Sequence, residues 1–384
     1  MVLMDSPEKA LRSIEEYLQR NPGDATAWNS KGVILARMER FGEALRAFDQ
    51  ALRIDSKLRD AHVNRGRVLL ALGPDKAQEA LRSFERALRT DPTDTQVLRD
   101  KAVALRILGR AEEELACVEQ IAESSPEDKH VLLRLADLHL ELGRFKESIN
   151  LYDRVLNLDS SLVPALIHRA IALSLSERWT EAIKSAEQAT KIAPENPEAW
   201  LVLGDVNLRA ERYKAASKAL ERAARLRPQD ASIEHTMGLV AFKAGRLKDA
   251  VMHFRRAIAL KRDFARAMKY LALAYMELED WKKASDTWSR FVRVVRDDPK
   301  AWDAYAVTCA KLNDYCTAHD AWDHARRLFK KMGAETEAER VARLGRAARI
   351  NCSRLKKAAR AEREKEKLRR RHRNPQFRSS RRGS

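Results

Sequence analysis

Cysteine is scarce: only four occur in 384 residues, at positions 117, 309, 316 and 352, and none forms a CxxC pair. That spacing gives no disulfide framework and no thiol-rich metal site, so four reduced thiols in a reducing compartment are expected. Turn formers are scarce too. Thirteen glycines and 11 prolines, with 6% aromatic residues, are too few for a sandwich or barrel of many short strands. No window approaches the roughly 18 uninterrupted apolar residues of a membrane span, and Met1–Pro7 lacks the basic and apolar regions of a signal peptide. These absences point to a cytoplasmic protein, or a nuclear one if the host is eukaryotic. What is abundant is Ala, Leu, Arg, Glu and Lys, which favour helix throughout. At 45% hydrophobic the chain is too apolar to be disordered. Acidic residues are outnumbered: 74 Lys and Arg face 56 Asp and Glu, a net charge of +18 that raises the question of an acidic or nucleic-acid partner.

Catalytic motifs are missing as well. The chain contains no GxxxxGK[ST], GxGxxG, GxSxG or HExxH pattern. His319 and His324 are five apart, which does not put both on one helical face as metal ligands. Cys117 and Cys309 fall on helical packing positions and Cys316 in an inter-helix turn, so ordinary buried or half-buried thiols are expected there. The run Glu112-Glu113-Glu114 reads as a solvated face. No enzyme, cofactor or metal is expected.

A 34-residue repeat is the dominant signal. Large residues recur at Phe145, Trp179, Tyr213, Leu247, Trp281 and Tyr315, each 34 after the last. Small residues share the step at Ala136, Ala170, Gly204, Gly238, Ala272 and Ala306, and again at Ser148, Ala182, Ala216, Ala250, Ala284 and Ala318. Pro92, Pro126, Pro194 and Pro228 mark one phase and end a helix there. Nine units start at 25, 59, 95, 129, 163, 197, 231, 265 and 299, the second lengthened by two residues near Gly73–Lys76. Inside a unit, apolar residues at three- and four-residue steps form two helical stretches of about 14 residues around a short polar break. Each helix pair has one buried seam and must stack on its neighbours, which makes a solenoid.

The pattern Trp28…Gly32…Leu35…Ala44…Phe48…Ala51, repeated as Trp200…Gly204…Ala216…Leu220…Ala223…Pro228, resembles the tetratricopeptide repeat. The resemblance implies an all-α, right-handed superhelical solenoid whose first helices line a concave groove for a peptide or another protein. Asn207 and Glu234 stand where large apolar residues are usual, which questions local packing. The organisation expected is an N-terminal capping half-repeat over 1–24, with its helix at Pro7–Arg20, nine repeats over 25–332, a capping helix or degenerate repeat over 333–355, and a basic helical-to-disordered tail over 356–384. Within 333–355 the expected seam is Val341, Leu344 and Ala348, running on to Leu355.

Transferred to this sequence, the groove positions include Asn29, Arg37, Asn64, Arg67, Arg99, Arg106, Arg134, Asp137 and His168, with Val33, Val103, Leu133, Ile167 and Ile171 as apolar neighbours. Further along they give Leu201, Val202, Asp205, His235, Leu239, Lys269 and Leu273. Free arginines would make the N-terminal half positive and suited to an acidic segment; the alternative is that they pair with acids such as Asp60, Asp100 and Asp137. A chaperone-tail carboxylate clamp of the family is not expected, since only Asn64 matches among Asn29, Val33, Asn64, Gln96 and Asp100.

Residues 333–384 hold 18 Lys and Arg against six Glu, two-thirds of the whole chain's excess charge. Lys356, Lys357, Lys365, Lys367, Arg369, Arg370, Arg371, Arg373, Arg381 and Arg382 form a basic tail suited to nucleic acid, the ribosome or an acidic surface. In a nucleated host, Lys367–Arg371 also reads as a localisation signal. The main expectation is a non-catalytic protein-interaction scaffold, and the alternative a nucleic-acid- or ribosome-associated adaptor anchored by this tail.

Overall fold

The computed structural model describes residues 7–373, with side chains as far as Arg370. Among the described residues there are twenty α-helices and no strand. The chain divides into two compact units, Met1–Pro194 and Glu195–Ser384. The first unit opens with a lone helix, α1 (Pro7–Arg20). It continues with the pairs α2 (Ala25–Arg37) and α3 (Phe41–Ile54), α4 (Arg59–Leu72) and α5 (Ala77–Leu88), and α6 (Thr95–Ile107) and α7 (Ala111–Ser124). It ends with α8 (Lys129–Glu141) and α9 (Phe145–Leu158), then α10 (Val163–Leu175) and α11 (Trp179–Ile192). The second unit holds α12 (Pro197–Arg209) and α13 (Tyr213–Leu226), α14 (Ala231–Lys243) and α15 (Leu247–Leu260), α16 (Ala265–Glu277) and α17 (Trp281–Val294), and α18 (Pro299–Lys311) and α19 (Tyr315–Lys331). A single long helix, α20 (Glu335–Arg373), completes it. The first helices begin at the nine repeat starts, and the two extra residues of the second pair sit in a 3-10 turn at Pro74–Lys76. This is an all-α tetratricopeptide solenoid fold.

Local chemistry explains the boundaries. Asp24, Asp94, Asp128, Asn196, Asp230 and Asp298 cap first helices by accepting backbone N–H bonds, each worth about 1 kcal/mol. The turn inside a pair has one left-handed residue: Gly109, Gly143 and Gly245 in three cases, but Glu39, Glu177, Glu211, Glu279 and Asn313 in others. There the chain reverses with a bond from the next backbone N–H back to the last turn of the first helix, as from Arg144 to His139 O at 2.8 Å.

Packing depends on the small-residue column. A Cβ added at Gly32 would lie 2.4 Å from the Phe48 ring, at Gly66 2.5 Å from Phe84, at Gly204 2.6 Å from Leu220 and at Gly238 2.5 Å from Phe254. All four large residues are fully buried, so in these four pairs the second helix seats a large side chain directly on the backbone of its partner. The two irregular residues are accommodated locally. Asn207 is buried and donates to Leu203 O at 2.8 Å, while Glu234 accepts from His253 at 2.8 Å.

Two expectations need correcting. Cys316 and Cys352 are bonded as a disulfide, with Cα atoms 5.0 Å apart. Cys316 lies in the first turn of α19, and α20 runs back along α19 to meet it. The match depends on the register of α20, which the repeat does not fix. Cys117 and Cys309 are buried free thiols, their pKa raised by burial. The cysteine pattern therefore no longer argues for a reducing compartment. Second, the buried seam of α20 is Ala338, Val341, Ala348 and Cys352, whereas Leu344 and Leu355 are exposed. From Ser353 to Arg370 every residue of α20 is exposed, because the helix has left the body by then. Residues 374–384, including Arg381 and Arg382, lie outside the described residues.

Gly66→Ala should lower the urea midpoint. The roughly 1 kcal/mol gained in helix propensity is outweighed by roughly 1–3 kcal/mol of overpacking against an immobile Phe84. Gly42→Ala, with open space around it, should not lower the midpoint. Titrating thiols in denaturant should find two free cysteines before reduction and four after; four beforehand would remove the disulfide.

Candidate protein-interaction surface

The faces that the repeat assigns to binding differ between the two units. In the first unit the polar positions are already engaged. Asn64 donates to Asn29 Oδ1 at 3.1 Å. Arg67 reaches Asp100 at 2.7 Å and Arg99 reaches Asp128 at 3.1 Å. Arg106 and Arg134 converge on Glu114, whose side chain is 1% exposed: Arg134 binds it through two nitrogens at 2.8 Å and reaches Glu141 at 3.0 Å with a third. Glu114 holds the Arg134 guanidinium well above its usual pKa range. Asp137 accepts from Tyr152 at 2.6 Å and pairs with His168 Nδ1 at 2.7 Å; burial and that carboxylate both push the Tyr152 pKa up.

The expected row of free arginines is thus mostly an ion-pair network. Of the expected partner acids, only Asp100 is used as anticipated, since Asp60 pairs with Arg59 and Asp137 with a tyrosine and a histidine. Arg37 is exposed and has no hydrogen bond or ion pair among the described residues. Ile167 is buried at 2% and offers nothing to a partner. Val103 remains 41% exposed, and Val33, Leu133 and Ile171 are half-buried.

Cations at the start of one first helix repeatedly pair with the acid before the next pair. Arg59 meets Asp94, Arg99 meets Asp128, Lys129 meets Asp159 at 2.8 Å and, in the second unit, Lys269 meets Asp298 at 3.5 Å. Asp94, Asp128 and Asp298 also cap the next first helix. Partly exposed pairs of this kind contribute little individually, but they align successive pairs.

In the second unit part of the same face, on α14 and α16, is apolar. Leu239 and Phe242 of α14 and Tyr270, Leu273 and Met276 of α16 are half-buried and pack on one core cluster. Phe242 and Tyr270 meet edge to face at 6.0 Å, and Tyr270 stacks on Phe254 at 5.9 Å. His235 does not face a groove. It is buried among Phe254, Phe264 and Tyr270, at 5.1–5.9 Å. Burial pushes its pKa down to about 4, which keeps it neutral at pH 7. Leu239 and Leu273 were legible in the sequence as groove positions; Phe242, Tyr270 and Met276 were not singled out, although they lie in neighbouring columns of the same repeat.

Among the described residues no group of three or more His, Cys, Asp or Glu side chains could hold a metal ion. His319 Nδ1 lies 3.0 Å from Gly345 O, and His324 packs on Trp302 at 4.2 Å, so both serve packing. No described helix is long and apolar enough to cross a membrane.

Residues 119–344 match the model of the cilia and flagella-associated protein 70 C-terminal domain, and residues 5–59 and 63–129 match a tetratricopeptide repeat model. No curated relative matches the chain. Among solved structures, the chain is similar to yeast Tom70, with 14% identity and a TM-score of 0.53 over 90% of this chain and 86% of that one. It is also similar to the APC/C hetero-tetramer Cut9–Hcn1, with 16% identity and a TM-score of 0.50 over 83% and 76%. A tetratricopeptide repeat protein from Parabacteroides merdae gives 17% identity and a TM-score of 0.51 over 65% and 98%. At these identities the likeness shows the fold alone. With more than half of its length matched by one model and its N-terminal third by the other, the chain belongs to the tetratricopeptide repeat family, in the group of the cilia and flagella-associated protein 70 C-terminal domain.

Proposed function

We propose that the chain is a non-catalytic adaptor that holds a segment of another protein on its first-helix faces, with the patch on α14 and α16 as the principal anchor. One observation carries this reading: Leu239, Phe242, Tyr270, Leu273 and Met276 are partly exposed apolar side chains packed on one core cluster, with Phe242 against Tyr270. Such a patch on an otherwise charged protein suits the apolar side chains of an extended or helical segment. The name of the matched family makes cilia and flagella the place to seek that partner. For the first unit, the preference for an acidic segment narrows to Arg37, Arg67 and Arg99. The last two would exchange Asp100 and Asp128 for a ligand carboxylate, whereas Arg134 is committed to the buried Glu114. The second reading, an adaptor anchored to nucleic acid or the ribosome, draws on the cation-rich end of α20 and leaves the groove assignment unchanged.

Stability separates the two kinds of arginine. Arg134→Met leaves the buried Glu114 carboxylate with one exposed partner and should cost roughly 3 kcal/mol in urea unfolding. Arg67→Met and Arg99→Met should each cost at most about 1 kcal/mol.

Binding is tested by co-purification from the native lysate. The Leu239→Glu, Leu273→Glu double variant, with its helical circular dichroism retained, should lose the proteins that wild type captures. An unchanged set of captured proteins would refute the α14–α16 face.

A further inference from the structure

The exposed part of α20 has an ordered charge pattern that deepens the second reading, an adaptor anchored to nucleic acid, and the inference rests on that reading. Lys356, Arg360, Arg363, Lys367 and Arg370 follow one another at alternating four- and three-residue steps. At about 100° per residue these five cations fall within an arc roughly 80° wide, and none of Glu362, Glu364 and Glu366 lies inside it. With a rise of 1.5 Å per residue, the stripe extends about 21 Å. Lys356, Arg360, Arg363 and Lys367 have no ion pair or hydrogen bond among the described residues, and Arg370 touches only the flanking Glu366 at 2.6 Å. Cys352, the last buried residue of the helix, is fastened to Cys316. The root of the stripe is therefore held on the body while the stripe itself projects free.

We infer that this stripe is a docking surface for double-stranded DNA, bound through its phosphates without reading sequence. The chemistry of the helix decides among polyanions. An anionic membrane would need an apolar face beside the basic one, yet Leu355 and Leu368 lie more than 120° apart around the axis and form none. An acidic protein surface would normally supply apolar anchors to a contact, and the stripe contains only Lys and Arg. Stacking on single-stranded bases needs aromatic rings, and residues 353–370 contain none. What remains is a row of cations, one every 4.5–6 Å or so along the axis, laid against a stiff duplex whose two strands carry one phosphate charge per about 1.7 Å of axis.

The test is a fluorescence-anisotropy titration of a 24-base-pair DNA duplex with the full chain at several salt concentrations. The wild type should give a slope of log K against log salt of about −4, from four to five neutralised phosphates. Neutralising the stripe (Lys356→Gln, Arg360→Gln, Arg363→Gln, Lys367→Gln) should weaken binding at least tenfold at 100 mM salt and flatten the slope to about −1. The same charge removed off the stripe (Arg354→Gln, Lys357→Gln, Lys365→Gln, Arg369→Gln) should leave most of the slope. Equal losses in the two variants would overturn the stripe. Binding to phosphatidylserine vesicles, poly-glutamate or an RNA duplex as tight as or tighter than to DNA would overturn the choice of partner.

Discussion

The contact of a large side chain on the partner helix's backbone at the small-residue column is the constraint on which the rest of the structure depends. Phe48, Phe84, Leu220 and Phe254 occupy the space that a Cβ at Gly32, Gly66, Gly204 and Gly238 would need. Helices brought this close bury the large side chain completely, which is how a pair without a core of its own gains enough apolar contact to stay folded against its neighbours. The second constraint is orientational. The N-cap acids Asp94, Asp128 and Asp298 satisfy the first turn of one helix and also accept a cation from the pair before. One side chain thereby fixes both where a helix starts and how it sits on its predecessor.

Charge is distributed by the same economy of partners. Two-thirds of the +18 excess lies in residues 333–384, and in the first unit Arg67, Arg99, Arg106 and Arg134 are matched to Asp100, Asp128, Glu114 and Glu141. Paired charges of this sort shape a surface and fix its register more than they attract a distant ligand. The unbalanced cations concentrate instead where α20 has left the body, outnumbering Glu362, Glu364 and Glu366 there. On the first-unit face the arginines are thus mostly paired, whereas most cations of the projecting helix are not.

Fold class, helix starts and the lone first helix were legible because the repeat supplies many coincident columns, and sequence position alone then places each helix. Three features were not legible, for distinct physical reasons. The pairing of an exposed arginine depends on side-chain reach between successive helices, and Arg134 shows this, since its partner Glu114 was assigned to a solvated run. The Cys316–Cys352 bond needs the register of α20 against α19, and the repeat frame breaks before it reaches α20. The left-handed turn column is hidden because Gly alternates with Glu at one position, and only backbone geometry shows that Glu39, Glu177, Glu211 and Glu279 adopt the conformation of Gly143.

Departures from a repeat are informative when nothing inside the protein compensates them. Asn207 bonds back to its own helix, Glu234 pairs with His253, and Arg340 reaches Asp303 at 2.5 Å; each polar intrusion is locally satisfied and requires no outside partner. The half-exposed side chains of α14 and α16 are different. Phe242 meets Tyr270 edge to face, Tyr270 stacks on Phe254, and both Phe242 and Tyr270 stay partly exposed. Leu239, Phe242, Tyr270, Leu273 and Met276 are only partly buried, whereas Phe254 and Trp288 of the same core cluster are 0–1% exposed. An apolar face of this kind is the surface that the proposed docking segment would cover.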